Sequence, residues 1–125
     1  MPETSYADLT GLEVAQRCAQ YALDKKALDP IILDLRKISS IVDYLVICSA
    51  QSEPQIKAIA NGVEKSLKDD FGRQPHAVDG FPTSQWVVID YGDVMLHIFH
   101  EQKRPVYALE DLWSDAPQVA IDHAG

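Results

Sequence analysis

The segment Asp43–Ala50, DYLVICSA, constrains the fold more than any other part of the chain. From Tyr44 to Cys48 it runs without a single charged or amide side chain. A strand with one face in water alternates apolar and polar residues. This one does not, so it needs cover on both faces and belongs in the interior of a sheet. The chain has 125 residues, which fits one domain rather than two. A domain of that size hides roughly two-thirds of its unfolded surface and needs no metal or disulfide to hold it together. No apolar run approaches the ~20 residues of a membrane-spanning helix.

The layers that would cover this strand are visible on either side of it. Thr10 with Glu13 three residues later forms a capping box. It opens a helix predicted over 11–28, with Val14, Ala15, Cys18, Tyr21 and Ala22 at three- and four-residue steps. Asp29-Pro30 closes it, and Ile31–Arg36 is a short β-branched strand. That strand lies close in sequence to Asp43–Ala50, so the two are expected to pair antiparallel. Ser52 caps a second helix, with Pro54 in its first turn. Its stripe is Ile56, Ile59, Ala60, Val63 and Leu67, Phe71 extends it, and Gly72 stops it. Gln74–Val78 is a short strand, and Asp79–Ser84 is a loop. Trp86–Tyr91 and Val94–His100 are strands joined by a tight turn at Gly92-Asp93. A short helix lies within Val106–Trp113. The expected organisation is a flexible lead-in at 1–9, one α/β domain at 10–114 and a polar, mobile tail at 115–125. The domain would be a mixed sheet of about four to five strands with helices packed on it.

Charge narrows the partners. The chain carries 11 Lys and Arg against 19 Asp and Glu. From Asp79 onward there are eight acids and two bases, Lys103 and Arg104, so the last third holds most of the excess. No basic patch exists to wrap nucleic acid, and sequence-specific nucleic-acid binding is not expected. An anionic membrane surface is disfavoured for the same reason. A basic protein partner fits, as does a plain role in solubility. Cys18 and Cys48 lie in apolar settings and read as buried free thiols in a reducing compartment. The acidic N-terminus resembles neither a secretory signal nor a transit peptide, so a cytoplasmic location is expected.

Chemistry-bearing motifs are sparse. There is no G-x-S-x-G, no cysteine in a motif with histidine, and no glycine-rich phosphate cradle. Neither a cofactor nor a metal is expected. His97 and His100 lie three apart on one strand and point to opposite faces. Asp90 and Asp93 flank the hairpin turn. They could approach a divalent ion together with His97, or simply shape the turn by bonding their own backbone.

The aromatic pattern is more informative. Trp86, Val88 and Asp90 share one strand face, and Met95, His97 and Phe99 share a face of the next. A tryptophan among acids and a histidine suits the centre of an interface, although Trp86 could equally pack beneath a helix.

Two stretches carry a family likeness. WVVIDYGDVMLHIF from Trp86 and RPVYALEDLW from Arg104 to Trp113 resemble the signature of the ribosomal silencing factor family (RsfS, or Iojap-like). Upstream, DLRKISSIVDYLVICSAQSEPQIKAIANGVE fits the same family, with Ser40, Asp43, Ser49 and Ser52 in the expected places. The resemblance spans about Leu12 to Trp113. It implies a nucleotidyltransferase-like α/β fold without a usable catalytic set, hence no enzyme. It also implies binding to the large ribosomal subunit through ribosomal protein L-fourteen. Bound there, the factor would block the small subunit and damp translation when nutrients are scarce.

Carried over position by position, the residues implied for partner binding are Trp86, Asp90, Asp93, His97, Tyr107, Glu110 and Trp113. Trp86 is the expected apolar anchor, with the acids and His97 around it. Leu109, Leu112 and Trp113 could be core instead of contact. An exposed aromatic face could also pair two copies away from the ribosome. Two other functions compete. One is a large-subunit assembly factor, which differs in timing; the other is a metal-dependent nucleotidyl or phosphoryl transferase using Asp34, Asp90 and Asp93.

Overall fold

The computed structural model describes residues 9–80 and 85–122. Most of the lead-in and most of the Asp79–Ser84 loop lie outside the described residues. In chain order the elements are α1 (Gly11–Asp24), β1 (Leu28–Asp34), β2 (Tyr44–Ala50), α2 (Glu53–Phe71), β3 (Ala77–Asp79), β4 (Trp86–Asp90) and β5 (Val94–His100). They are followed by α3 (Arg104–Tyr107), α4 (Leu109–Leu112) and β6 (Gln118–Val119). Among the described residues the strands form one six-stranded sheet in the order β3-β4-β5-β2-β1-β6.

β2 is the expected interior strand. All seven of its residues are buried. It pairs antiparallel with β1, placing Ile31 opposite Ile47 and Leu33 opposite Leu45. On its other side it pairs parallel with β5, from Tyr44 opposite Val94 to Ala50 opposite His100. A parallel neighbour requires a crossover, and α2 supplies it. β4 and β5 form the expected hairpin, closed by the Tyr91 amide donating to the Val94 carbonyl at 2.8 Å.

Both main helices lie on one side of the sheet. The capping box at the start of α1 is complete: the Glu13 amide donates to Thr10 Oγ1 at 3.1 Å, and the Thr10 amide donates to Glu13 Oε1 at 3.0 Å. Ser52 Oγ accepts from the Gln55 amide, and Gly72 ends α2 at φ +67°. The stripes Val14, Ala15, Cys18, Ala19, Ala22 and Ile56, Ile59, Ala60, Val63, Leu67 are buried against Ile32, Val46, Leu96 and Ile89. Gly62 makes room for a neighbour: a Cβ there would stand 2.9 Å from Lys25 Cε, whose alkyl stem crosses α2 at that point. Cys18 and Cys48 are free and fully buried, and burial pushes the Cys48 thiol up to about 12. Both are therefore inert thiols at neutral pH. No helix among the described residues is long and apolar enough to cross a membrane.

Five expectations are corrected. β3 lies at Ala77–Asp79, not Gln74–Val78, because its pairing with Val88–Asp90 sets its place. The single helix expected within Val106–Trp113 is two single turns, α3 starting at Arg104 and α4, parted by Ala108 at φ +49°. α1 ends at Asp24, not Leu28, because Lys26 takes a left-handed turn at φ +65° and Leu28 already pairs with Ser49. The strand that follows starts at Leu28 and carries a bulge between Leu28 and Ile31, with Asp29 at φ +47°. Finally, residues 115–122 of the expected tail are tied to the domain. Gln118 and Val119 add β6 to the edge of β1. Beyond β6, Gln16 of α1 grips the main chain by donating to the Ala120 carbonyl at 2.8 Å and accepting from the Asp122 amide at 2.6 Å, while Gln20 donates to the Asp122 carbonyl.

Gly80 sits at φ +105°, and a Cβ there would overlap the Trp86 carbonyl oxygen. Gly80→Ala is expected to destabilise the domain by about 2 kcal/mol or more, read as a lower urea midpoint. Thr10→Ala removes half of the capping box and is expected to cost about 1 kcal/mol in the same experiment.

Candidate functional site

The side of the sheet away from α1 and α2 is covered only in part. Register sets the side chains there in lateral rows. Ser49 of β2 stands beside Phe99 of β5, and Phe99 stands opposite Trp86 of β4. One step along, Ile47 flanks His97, which faces Val88. α3, α4 and the turn after them cross this face. Leu109, Trp113 and Ala116 pack with Ile31, Trp86 and Met95 around a second small core of Leu33, Leu35, Val42, Leu45, Ile47 and Phe99.

Four rings meet at one end of the face. The Trp86 indole stacks on Phe99 with centroids 4.9 Å apart, and Tyr107 of α3 leans against it at 4.5 Å. Trp86 Nε1 donates to His97 Nδ1 at 3.0 Å. An indole nitrogen only donates, so Nδ1 of His97 accepts and the imidazole proton sits on Nε2. Burial without a nearby anion pulls the His97 pKa down to about 4. The imidazole is therefore a neutral member of the cluster at physiological pH.

The residues carried over from the family signature divide into three groups. Trp86, His97 and Tyr107 come together in the ring cluster, where Trp86 is half-buried and Tyr107 is 51% exposed. Glu110 and Trp113 lie on the same side but outside the ring cluster, Glu110 with its side chain 37% exposed. Glu110 pairs with Arg104 at 3.1 Å, and Trp113 packs on the second core. Asp90 and Asp93 stay at the β4–β5 turn. Asp90 Oδ1 accepts from the Gly92 amide at 2.7 Å, which is the turn-shaping role open to it from sequence. Asp93 lies on the helix side, 3.8 Å from Arg73 and against the first turn of α1 at Gly11. An anion is well placed there, since a helix start carries partial positive charge. The two acids thus do not surround Trp86. The set Leu109, Leu112 and Trp113 also splits, with Leu112 turned outward at 71% exposure.

Sequence reasoning named Arg104 and Ser49 within the family stretches but gave neither a role at the site. Arg104 is one of two bases in an acidic third, and that scarcity was the available signal. Its guanidinium lies beside an open pocket of about 670 Å³ between the start of β1 and α4. Among the described residues no three His, Cys, Asp or Glu side chains stand close enough to hold a metal ion. Asp34 in particular is engaged by Arg36, through a 2.8 Å ion pair and a second bond at 3.0 Å.

Comparison with known proteins supplies a family for this arrangement. The model described as "Ribosomal silencing factor during starvation" matches residues 8–125. The chain belongs to the ribosomal silencing factor family. It is 42% identical over 99 residues to the ribosomal silencing factor RsfS of Bacillus subtilis, covering 79% of this chain and 83% of that one. Against RsfS of Halalkalibacterium halodurans the identity is 37% over 114 residues, covering 91% and 97%. The chloroplastic protein Iojap of Arabidopsis thaliana is 32% identical, and this chain covers 47% of its length. A crystal structure of a Chromobacterium violaceum protein superposes with a TM-score of 0.81 at 29% identity, covering 94% of this chain and 95% of that one. One from Bacillus halodurans gives 0.75 at 36%, covering 87% and 98%. The mixed α/β architecture is thus shared with solved relatives of the RsfS family.

The His97 environment makes stability depend on pH. The unfolded histidine takes up a proton near 6.5, whereas the folded one stays neutral to about 4. On acidification the unfolded chain binds the proton first, so stability is full above 6.5 and falls as pH drops from 6.5 toward 4. The loss is on the order of 3 kcal/mol. Urea titrations between pH 7 and 4 should show this slope, and His97→Gln should flatten it.

Proposed function

We propose that this chain silences translation by occupying the large ribosomal subunit. It binds ribosomal protein L-fourteen and so prevents the small subunit from joining when nutrients are limiting. The reading draws on the family and on the names its relatives carry. The observation that carries it to particular residues is the ring cluster on the partly covered sheet face. There, Tyr107 is 51% exposed, and its chain neighbour Val106 and Leu112 of α4 are exposed by 70% and 71%. Aromatic anchors beside exposed apolar side chains are what protein interfaces concentrate their binding energy on. The segment that carries Tyr107, residues 101–115, has an acidic excess, with Glu101, Glu110, Asp111 and Asp115 against Lys103 and Arg104. Ribosomal proteins are typically basic, so the charges attract such a protein and repel bare rRNA phosphate.

Obstruction needs no reaction. A 125-residue domain has a radius of gyration near 14 Å. Seated on the joining face of a subunit, it projects far enough to clash with the other. Every residue of the ring cluster acts here by contact, and none of them is asked to move a proton or bind a phosphate.

The direct test is sedimentation of purified subunits with and without the protein. The protein should travel with the large subunit and reduce the yield of joined ribosomes. Tyr107→Ala and Trp86→Ala should each weaken binding by about 2 kcal/mol, roughly thirtyfold, with Tyr107→Ala the cleaner of the two because that ring is half in water. Joined ribosomes forming normally at saturating protein would refute the proposal. Affinity should also fall as salt rises from 50 to 300 mM, since rim charges are screened. A salt-independent complex would show that the acidic bias plays no part in docking.

A further inference from the structure

We propose that Arg104 is the positioning residue of the docking face, holding Tyr107 against the rings so that the partner meets a preformed surface. This rests on the docking function proposed above.

α3 and α4 have four residues each, and neither contains a fully buried residue. Helices that short do not persist on their own. Something must hold them to the sheet, and the guanidinium of Arg104 does so at three places. Its Nη1 donates to the Asp29 carbonyl at 2.8 Å, to Ser49 Oγ at 2.9 Å and, at 3.4 Å, to the Leu28 carbonyl. Its Nε and Nη2 reach the Glu110 carboxylate at 3.3 and 3.1 Å. The side chain is only 11% exposed. One residue thus ties the start of β1, the end of β2 and α4 to α3.

Local backbone explains why these acceptors face it. The bulge between Leu28 and Ile31 breaks the β1–β2 ladder there, and Arg104 bonds the Leu28 and Asp29 carbonyls at that break. Ser49, paired with Leu28 on its β1 side, stands in one lateral row with Phe99 and Trp86. Arg104 grips that row at Ser49. Tyr107, three residues later on the same helix, closes on its rings, 5.8 Å from Phe99 and 4.5 Å from Trp86. Fixing Arg104 therefore fixes the ring that the partner would touch. A lysine keeps the charge but has one donor head, and it cannot serve a carboxylate, a hydroxyl and two carbonyls in this planar arrangement.

The experiment compares Arg104→Lys, Ser49→Ala and Tyr107→Ala in full-length protein. Affinity for purified large subunits is measured by sedimentation. The Trp86–Tyr107 ring contact is followed by near-UV circular dichroism in a Trp113→Phe background, which leaves Trp86 as the single tryptophan. Arg104→Lys should lose tenfold or more in affinity and most of the ring signal, while far-UV circular dichroism stays as in the parent. Ser49→Ala should lose a smaller share of both and serves if Arg104→Lys does not fold. Parent-like affinity in Arg104→Lys, or in a Ser49→Ala protein that has lost the ring signal, would overturn the inference. Unchanged affinity in Tyr107→Ala would instead refute Tyr107 docking itself, and the inference with it, even if the ring signal still depended on Arg104.

Discussion

Everything in this domain depends on the pairing of β2 with β5 in parallel at the centre of the sheet. Every residue of β2 is buried, so both of its faces must be covered. α1 and α2 cover one face with two regular stripes of small and branched side chains. Among the described residues the other face is covered by two single-turn helices and the segment that follows, not by a long helix. Burying a strand on both sides while having helices enough for only one leaves a partly open aromatic face. The candidate interface is the remainder of that packing problem.

Such a remainder is held together differently from the main core. The helix side relies on apolar area, which is non-directional and tolerant of small shifts. The opposite side adds directional contacts to its smaller apolar core: an indole bonded to an imidazole, stacked rings, and one arginine shared among three segments. Directional contacts fix orientation more sharply than area does. A surface that must present a few rings in one arrangement gains from being built that way.

The sequence made the helix side easy to read and the other side hard. Caps are local: Thr10 with Glu13 and Ser52 with Gly72 fixed both helix starts and the end of α2 within a residue. The β4–β5 hairpin was equally local. The misses share a cause. Lys26 and Asp29 adopt left-handed backbone without being glycine, so nothing in composition marks the early end of α1 or the bulge. β6 is two residues long, too short for any periodicity, and it exists because the edge of β1 is there to receive it. At the site, alternation along β4 and β5 correctly put Trp86, His97 and Phe99 on one face. It also put Asp90 there, and placed Asp93 near them. What alternation could not show is that Asp90 turns back to an amide two residues on, while Asp93 folds over to a helix start and Arg73. Arg104 was legible as an isolated base at the start of a family stretch, but its bonding was not, since its partners lie 6 to 76 residues away in sequence.

The joint between α3 and α4 is Ala108, at φ +49° and ψ +48°. An L-residue pays roughly 1 kcal/mol for that conformation, and a glycine would adopt it freely. The alanine also has far fewer alternatives to explore, so the elbow is stiff where glycine would let it swing. A stiff elbow means the two helices have little freedom left to surrender when another molecule lands on them. Encounter can then succeed without waiting for a rearrangement, so a preformed face of this kind favours speed of capture.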